Sequence, residues 1–306
     1  MSVEEFSVEF CAAPDRADAL RLLHSGLSPD QQTALPTVLN AVHAMGETEY
    51  PGLLVARNSE TLLGTVWVQL APGSSAIVWP PAIGGVASAE LMRAAAKFLD
   101  DKRVSLAQVL VSPDAPQDPQ LLAAGEFHRL VELRYLKVER DLLPEKLSVN
   151  KLNFISAACD EPERLGRLIM KTYEQTLDCP QLNGLRDAAD ILKGYQAQGE
   201  FSADRWFFVQ QDDNDVGVLI LTIHPDRGTW ELVYMGVVPE SRGKRFGEEI
   251  VKFAISQASA GGASRLVLAV DQSNAPALDM YRAAGFVGWD SRIVYARLKK
   301  QDSARS

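Results

Sequence analysis

The sequence has few residues of the kinds that bind metals or form disulfide bonds. Its 306 residues include three cysteines and four histidines. The cysteines are odd in number, widely separated and without a Cys-x-x-Cys pair, so neither a disulfide framework nor a zinc site is expected. No histidine lies three or four positions from another histidine or a cysteine, as a helical metal site would require. We therefore expect no metal and a reducing, cytoplasmic location.

The chain also lacks a basic excess and long apolar runs. Lysine and arginine number 31 against 40 acidic residues, a formal net charge of -9, so no surplus of cations is present to displace counterions from nucleic acid. No run of about 18 apolar residues offers a membrane span. The acidic start, Met1 to Glu5, is not typical of a signal peptide. We expect neither a nucleic-acid nor a membrane partner, and the sequence does not predict the oligomeric state.

The composition is that of an ordinary globular protein, and the order of predicted elements repeats. Hydrophobic residues make up 46% and charged residues 23% of a chain too long for one small core. In each half, the hydrophobic pattern predicts a strand, helices, three strands, a glycine turn, and then a helix, a strand, a helix and a strand. Placing Leu110 opposite Val270 also places Gly125 opposite Gly285, which predicts an internal duplication. The expected parts are domain 1–143, linker 144–150, domain 151–300 and tail 301–306.

The most informative segment joins an apolar strand to a helix through a glycine-spaced turn. Residues 238–247 read Val-Pro-Glu-Ser-Arg-Gly-Lys-Arg-Phe-Gly. A helix that starts near Lys244 presents unpaired N–H groups beside the positive end of its dipole, and such an end attracts phosphate. Gly243 and Gly247 permit close approach of the backbone, and the neighbouring basic residues add positive charge. Taken alone, a short glycine motif is also typical of a plain solvated helix start.

Two flanking segments add further signals. Residues 274–286 predict a helix that Asn274 caps, that Pro276 suits in its first turn and that Gly285 ends. The strand before the turn, Trp230 to Pro239, contains Gly236, which indicates a bulge or a close backbone approach.

Together these segments resemble the GCN5-related N-acetyltransferase (GNAT) superfamily. In its turn pattern, Arg or Gln is followed by two variable residues, Gly, one variable residue, and Gly or Ala. Arg242 and Gly247 fill the outer positions, and Arg245 stands in place of the middle glycine. The resemblance implies a mixed α/β (α+β) fold of two tandem GNAT-like domains, each with a central, mostly antiparallel sheet flanked by helices. It also implies acetyl-CoA as co-substrate, with contacts from Met235, Gly236, Val237, Val238, Arg242, Gly243, Lys244, Arg245, Phe246, Gly247, Asn274 and Ala277.

The resemblance further implies two catalytic residues. Tyr281 matches the helix tyrosine that protonates the departing CoA thiolate, although a tyrosine there also packs against Ala277 and Ala284. Glu231 precedes Arg242 by eleven positions, the spacing at which some members place a glutamate that deprotonates the acceptor amine. An exposed partner of a basic residue is the alternative for Glu231.

Acceptor binding is expected from residues 173–186, which cover the cleft in this superfamily and here are rich in polar residues. The candidate contacts are Tyr173, Asp178 and Asn183, together with Tyr234 on the strand. One interpretation of Asp178 is that it holds a cationic amine. The alternative is that the residues from Asp178 to Pro180 simply end a helix. Cys179 is expected to be a small buried group that the chemistry does not need.

The first half lacks the corresponding chemistry. Residues 83–88 stand opposite the glycine turn without a cation, and Leu121 stands opposite Tyr281. We therefore expect a degenerate GNAT-like domain there. The expected function of the whole chain is direct transfer of an acetyl group to a primary amine of a small molecule in a ternary complex. The alternatives are a noncatalytic acyl-CoA-binding or regulatory module and a protein N-acetyltransferase.

Overall fold

The computed structural model describes residues 5–44, 46, 49–142, 151–157 and 161–300. The described residues of 1–131 and 292–306 form one compact unit, and those of 132–291 form a second. The predicted linker at 144–150 and tail at 301–306 lie outside the described residues.

Strands and helices follow one another in the order that the sequence predicts. The strands are β1 (Ser7–Phe10), β2 (Leu53–Arg57), β3 (Leu62–Ala71), β4 (Ser75–Trp79), β5 (Leu106–Val111), β6 (His128–Glu139), β7 (Asn153–Ser156), β8 (Trp206–Gln211), β9 (Asn214–His224), β10 (Thr229–Val237), β11 (Arg265–Asp271) and β12 (Val287–Leu298). The helices are α1 (Arg16–Gly26), α2 (Pro29–Ala44), α3 (Ser88–Asp101), α4 (Pro119–Ala124), α5 (Pro162–Tyr173), α6 (Ala188–Gln196), α7 (Phe246–Ala260) and α8 (Ala275–Ala283).

The two units have sheets of the same topology. In the first unit the strand order is β1-β2-β3-β4-β5-β12, and in the second it is β7-β8-β9-β10-β11-β6. Neighbouring strands are antiparallel except for β4 with β5 and β10 with β11, which are parallel. The predicted mixed, mostly antiparallel sheet in each of two tandem halves is therefore confirmed.

The last strand of each sheet comes from the other half of the sequence. Residues 293–298 of β12 pair with β5 in the first unit, and residues 133–139 of β6 pair with β11 in the second. The compact units thus differ from the sequence domains 1–143 and 151–300, whose boundaries stay a prediction. Local patterns mark both segments as strands but do not specify the neighbour with which each one pairs.

In the second unit both faces of the sheet are covered by helices. Leu219 and Leu221 of β9 pack with α7, whereas Val218 and Ile220 point to the opposite face and pack with α5. This alternation follows from the two-residue period of a strand. The core side of α7 carries apolar residues at helical spacing, namely Phe246, Ile250, Val251, Ala254, Ile255 and Ala258.

No helix among the described residues combines the length and the apolar character needed to cross a membrane.

Candidate active site

A cleft opens in the second unit where two parallel strands separate. β10 and β11 pair at three consecutive positions, from Thr229 with Arg265 to Glu231 with Val267. Beyond Glu231, β10 continues along β9 as far as Val237 opposite Gly217, and no strand among the described residues pairs with its other edge. A cavity of about 410 Å³ lies there. Its lining comprises Thr172, Gln175, Thr176, Leu177, Asp178, Leu232, Val233, Tyr234, Met235, Gly236, Val237, Arg242, Ala269, Val270, Asn274, Ala277, Met280 and Tyr281.

The backbone of β10 presents free peptide groups to this cavity. The Val238 N–H donates to the Val216 carbonyl at 3.0 Å across the β9 ladder. Because peptide groups alternate in direction along an antiparallel strand, those of Gly236 also turn toward β9, and those of Met235 and Val237 turn toward the cleft. The Val237 carbonyl accordingly accepts a hydrogen bond from Arg242 Nε at 3.1 Å.

Gly236 is required by a close approach, whereas the strand irregularity lies earlier. The register of β10 on β9 shifts between Leu232 and Tyr234, so Val233 is the bulged residue. A Cβ atom on Gly236 would lie 2.5 Å from the Tyr234 hydroxyl and 2.7 Å from the Thr172 Cβ atom. Those two side chains are joined by a hydrogen bond of 2.6 Å between Tyr234 Oη and Thr172 Oγ1. The sequence predicts either a bulge or a close approach at Gly236, and the structure shows the close approach.

The glycine turn leads into α7 without a side-chain cap. Arg245 is the N-cap residue, with φ 64° and ψ 20°, and its side chain makes no capping hydrogen bond. The middle position of the motif thus has the left-handed conformation that favours glycine, although it carries arginine. Gly243 has φ 76°, and nothing would lie within 4 Å of a Cβ atom there. The first N–H groups of α7 therefore remain available to an anion.

Gly247 serves the contact between α7 and α8. A Cβ atom on Gly247 would lie 2.8 Å from the Met280 sulfur. The outer glycine of the motif therefore allows the two helices to come close together, and Met280 in turn lines the cavity.

The side chain of Arg242 points away from the turn. Besides its bond to Val237, it donates through Nη1 to the Gln175 carbonyl at 3.0 Å. Nη2 donates to the carbonyls of Thr172 at 3.0 Å and Glu174 at 2.7 Å. These acceptors lie at and just beyond the end of α5, where helix carbonyls lack partners. Arg242 thus fastens the segment after α5 to the end of β10.

Tyr281 projects from α8 into the cavity. Asn274 Oδ1 accepts a hydrogen bond from the Ala277 N–H at 3.3 Å, which caps this helix as predicted. Tyr281 is only 6% exposed, and its ring packs edge-on against the ring of Phe286, with 5.6 Å between the two ring centroids. Within the described part of the chain, the structure gives the hydroxyl no hydrogen-bond partner. Burial, aided by the charge of Asp178, raises the pKa of Tyr281 above its ordinary value, so the phenol stays protonated.

Asp178, which lines the cavity together with Tyr281, is linked to Asp271 by hydrogen bonds. The Asp271 N–H donates to Asp178 Oδ1 at 3.0 Å, and the Cys179 N–H donates to Asp271 Oδ2 at 3.3 Å. Asp271 Oδ1 also accepts from the Ser273 N–H at 2.8 Å and its hydroxyl at 2.7 Å. These bonds fasten the segment after α5 to the end of β11.

Several predicted site residues lie together in the cavity. Tyr281, Met235, Gly236, Val237, Arg242, Asn274, Ala277, Asp178 and Tyr234 all line it. Gly243, Lys244, Arg245 and Gly247 belong to the turn outside its lining, while Val238 and Phe246 are buried in the two cores.

Three other candidates lie outside the cavity lining. Glu231 Oε2 lies 2.7 Å from His224 Nε2. The Tyr173 hydroxyl bonds that of Tyr195 at 2.6 Å, and Asn183 Nδ2 donates to the Tyr173 carbonyl at 2.8 Å. Tyr173 and Asn183 border a separate open groove beside α5.

Sequence reasoning missed Thr172 and Asp271. Thr172 looks like an ordinary helical residue, and nothing local marks its contact with Tyr234. Asp271 did carry a signal, because a carboxylate at the carboxyl end of a buried strand lies at the edge where sites commonly form. No three His, Cys, Asp or Glu side chains in the described ranges are grouped closely enough to hold a metal ion.

Residues 169–286 match the model of the acetyltransferase (GNAT) family. This range contains the separated part of β10, the glycine turn and Tyr281. The second unit contains a GNAT domain.

Solved GNAT structures share the fold across the whole chain. A GCN5-related N-acetyltransferase from Sphaerobacter thermophilus has a TM-score of 0.64 and 12% identity, and the match covers 97% of this chain and 96% of that one. A tandem GNAT protein from the clavulanic acid biosynthesis pathway has a TM-score of 0.54 and 15% identity, covering 97% and 100%. At these identities the likeness shows the fold alone.

Among curated relatives, the mycothiol acetyltransferase of Corynebacterium efficiens is 25% identical over 198 residues. The match covers 60% of this chain and 63% of that protein. The chain therefore spans less than two thirds of the length of the first curated relatives that it matches.

The first unit has a much smaller cavity at the position that corresponds to the GNAT cleft. Its β4 and β5 also pair at three positions, from Ser75 with Leu106 to Ile77 with Gln108. Gln31 of α2 reaches the strand beyond this point, where its Nε2 donates to the Leu110 carbonyl at 2.9 Å. The remaining cavity measures about 50 Å³. A side chain of the protein thus occupies the space that is open in the GNAT domain.

Proposed function

We propose that this protein transfers the acetyl group of acetyl-CoA directly to a primary amine of a small molecule. One observation carries the proposal: where β10 and β11 separate, the free peptide group of Met235 and the free N–H of Val237 share a cavity with the hydroxyl of Tyr281. Hydrogen-bonding backbone, a protonated acid and a cavity within the ordinary size range of small-molecule sites lie in one place. The GNAT match over residues 169–286 supports acetyl-CoA as the donor.

The turn and β10 divide the binding of acetyl-CoA between them. The uncapped start of α7, with the exposed residues Lys244 and Arg245, suits the diphosphate because N–H groups and positive charge are both present. The cleft edge of β10 suits the pantetheine amides, since amides pair with free peptide groups as a neighbouring strand would. Arg242 contributes indirectly, because its hydrogen bonds keep the segment after α5 in place.

The chemistry needs three groups from the chain. The Met235 N–H polarises the thioester carbonyl, a carboxylate removes a proton from the acceptor's ammonium group, and Tyr281 protonates the departing thiolate. Two carboxylates are candidates for the base: Glu231, acting directly or through water, and Asp178. Most of the rate gain comes from holding donor and acceptor together in the ternary complex. No covalent acyl-enzyme is needed, and Cys179 has its pKa raised to about 12 by burial and nearby carboxylates, which makes it a poor nucleophile.

The acceptor is a small amine. The curated relatives are mycothiol acetyltransferases by name, which supports a small acceptor. A carboxylate in the cavity suits a cationic group. We also propose a cytoplasmic location, which the sparse cysteines support.

Mass spectrometry of acetylated products tests the proposal. The protein is incubated with acetyl-CoA and, separately, glucosamine, ethanolamine, spermidine and a short peptide with a free amino terminus. Acetylation of at least one small amine, lost in Tyr281→Phe, is expected. Acetyl-CoA binding without transfer to any amine would instead indicate a binding module, and transfer only to the peptide would indicate a protein N-acetyltransferase.

A further inference from the structure

We propose that Asp178, rather than Glu231, is the base that takes the proton from the acceptor's ammonium group. The inference rests on the proposed acetyl transfer. It follows from the position of Asp178 in the cavity, from its hydrogen bonds and from the charges around it.

Two hydrogen bonds, one from the backbone N–H and one to the side-chain carboxylate, set the position of Asp178. Its N–H donates to Thr176 Oγ1 at 3.0 Å, and its Oδ1 accepts from the Asp271 N–H at 3.0 Å. The structure gives Oδ2 no partner within the described ranges. The carboxyl group is thus held by one oxygen and can receive a donor on the other, in the same cavity as Tyr281.

The charge of Asp178 is not compensated by a direct ion pair, and Arg242, which lines the same cavity, bonds to backbone carbonyls instead. No basic side chain of the described chain forms an ion pair with it, and the Asp271 carboxylate is close enough to repel its charge. Although much of the residue is exposed, desolvation of the carboxyl group raises the pKa of Asp178; the hydrogen bond from the Asp271 N–H opposes this rise, and the charge of the Asp271 carboxylate adds to it. A carboxylate in this setting favours a cationic partner and is a stronger base than an ordinary aspartate. The titratable groups that interact with it come from its own loop, β11, β10, α5 and α8: Cys179, Asp271, Tyr234, Tyr173 and Tyr281.

Glu231 is less well placed for this task. Its Oε2 lies 2.7 Å from His224 Nε2, and its side chain is 26% exposed. It belongs to the part of β10 that is still paired with β11, before the strands separate. Its carboxylate is engaged by a neighbour and does not line the cavity.

The protons balance in the following way. The bound ammonium gives one proton to Asp178 Oδ2, which passes it to solvent, and the free amine attacks the thioester carbon. The new C–N bond forms as the C–S bond breaks, and the sulfur takes the proton of Tyr281. The nitrogen then loses its second proton to Asp178, and this proton restores the Tyr281 phenol. The products are the amide, CoA as thiol and one proton in solution.

The test compares the pH dependence of kcat/KM in four proteins: wild type, Asp178→Asn, Glu231→Gln and Asp279→Asn. Asp279 is an exposed aspartate on α8 and serves as the matched carboxylate-to-amide control. The amines are glucosamine, ethanolamine and spermidine. Titration calorimetry with acetyl-CoA shows whether each variant is folded and binds the donor.

For Asp178→Asn we expect unchanged acetyl-CoA binding and a kcat/KM about 100 to 10,000-fold lower near neutral pH. The loss should shrink steadily as the pH rises, because free amine then forms without a base. Misplacement of the segment would instead lower the rate by the same factor at every pH.

Three results would overturn the inference. A loss in Asp178→Asn that is equal at every pH would make it a positioning residue. A loss with alkaline recovery in Glu231→Gln alone would assign the base to that residue. Absence of transfer by wild type, despite acetyl-CoA binding, would refute the proposed function and this inference with it.

Discussion

Arg242 Nη2 donates a hydrogen bond of 2.7 Å to the carbonyl of Glu174, just past the end of α5. Through this bond and its companions to Thr172 and Gln175, the first residue of the glycine motif holds the segment that carries Asp178. One guanidinium group therefore joins the proposed acetyl-CoA site to the proposed acceptor site.

Arg242→Lys should loosen the segment after α5. Lysine has a single nitrogen and cannot reproduce the four bonds of the planar guanidinium group. We expect faster hydrogen exchange in residues 172–178 and a rise in the KM for the amine, with a smaller change in acetyl-CoA affinity. Arg282→Lys is the matched control, because Arg282 is an exposed partner of Asp279 on α8. Weakened acetyl-CoA binding without change in the segment would instead show direct contact of Arg242 with the diphosphate.

Tyr281→Phe should lower kcat by about 100 to 10,000-fold and leave acetyl-CoA binding intact. The variant loses the acid but keeps the ring that packs against Phe286. Because burial raises the pKa of Tyr281 above its ordinary value, the phenol remains protonated at neutral and mildly alkaline pH, and wild type should show no loss from this group there. Steady-state rates across the pH range check both points. A kcat within a few-fold of wild type would show that another group protonates the thiolate.

Gly236→Ala should destabilise the second unit by about 1–3 kcal/mol, the usual cost of overpacking. The added methyl group would press on the Tyr234 hydroxyl and on Thr172, and would disrupt their hydrogen bond. Gly288→Ala is the control, since a Cβ atom there would meet only the Leu136 side chain at 3.8 Å. Urea unfolding measures both variants, and equal stability would contradict the close approach at Gly236.

The two substitutions Arg245→Gly and Arg245→Ala should differ in stability. Both remove the surface pair with Glu248, but only glycine adopts φ 64° without strain. We expect the glycine variant to be more stable than the alanine variant by about 1 kcal/mol in urea unfolding. A more stable alanine variant would mean that residue 245 leaves the left-handed conformation in solution.

Much of this fold is predictable because the strands and helices have clear periodic patterns. The alternation in β9 and the apolar face of α7 predict strand and helix before any contact is known. The duplicated order predicts two sheets of the same topology. The local pattern marks residues 133–139 and 293–298 as strands, but it does not predict which strand each one pairs with. The structure pairs them with β11 and β5, respectively.

The position of the candidate site could be predicted from the sequence, whereas the directions of its side chains could be predicted less well. Tyr281, Met235 and Asn274 were identified from motif spacing, and all three line the cavity. The same motif identified Arg242 but could not indicate that its side chain turns to the carbonyls after α5. The bond between Asp178 and Asp271 joins residues 93 positions apart, and no local pattern announces such a contact.

We expect one acetyl-CoA to bind in the cleft between β10 and β11. Titration calorimetry with acetyl-CoA tests it on wild type, on Ala277→Trp, which fills the cavity, and on Gln120→Trp, an exposed substitution on the corresponding helix α4. Wild type and Gln120→Trp should each bind one equivalent, and Ala277→Trp should bind none. Two equivalents in wild type would show that the space occupied by Gln31 also opens to acetyl-CoA, and undiminished binding by a folded Ala277→Trp would contradict the assignment of the cleft.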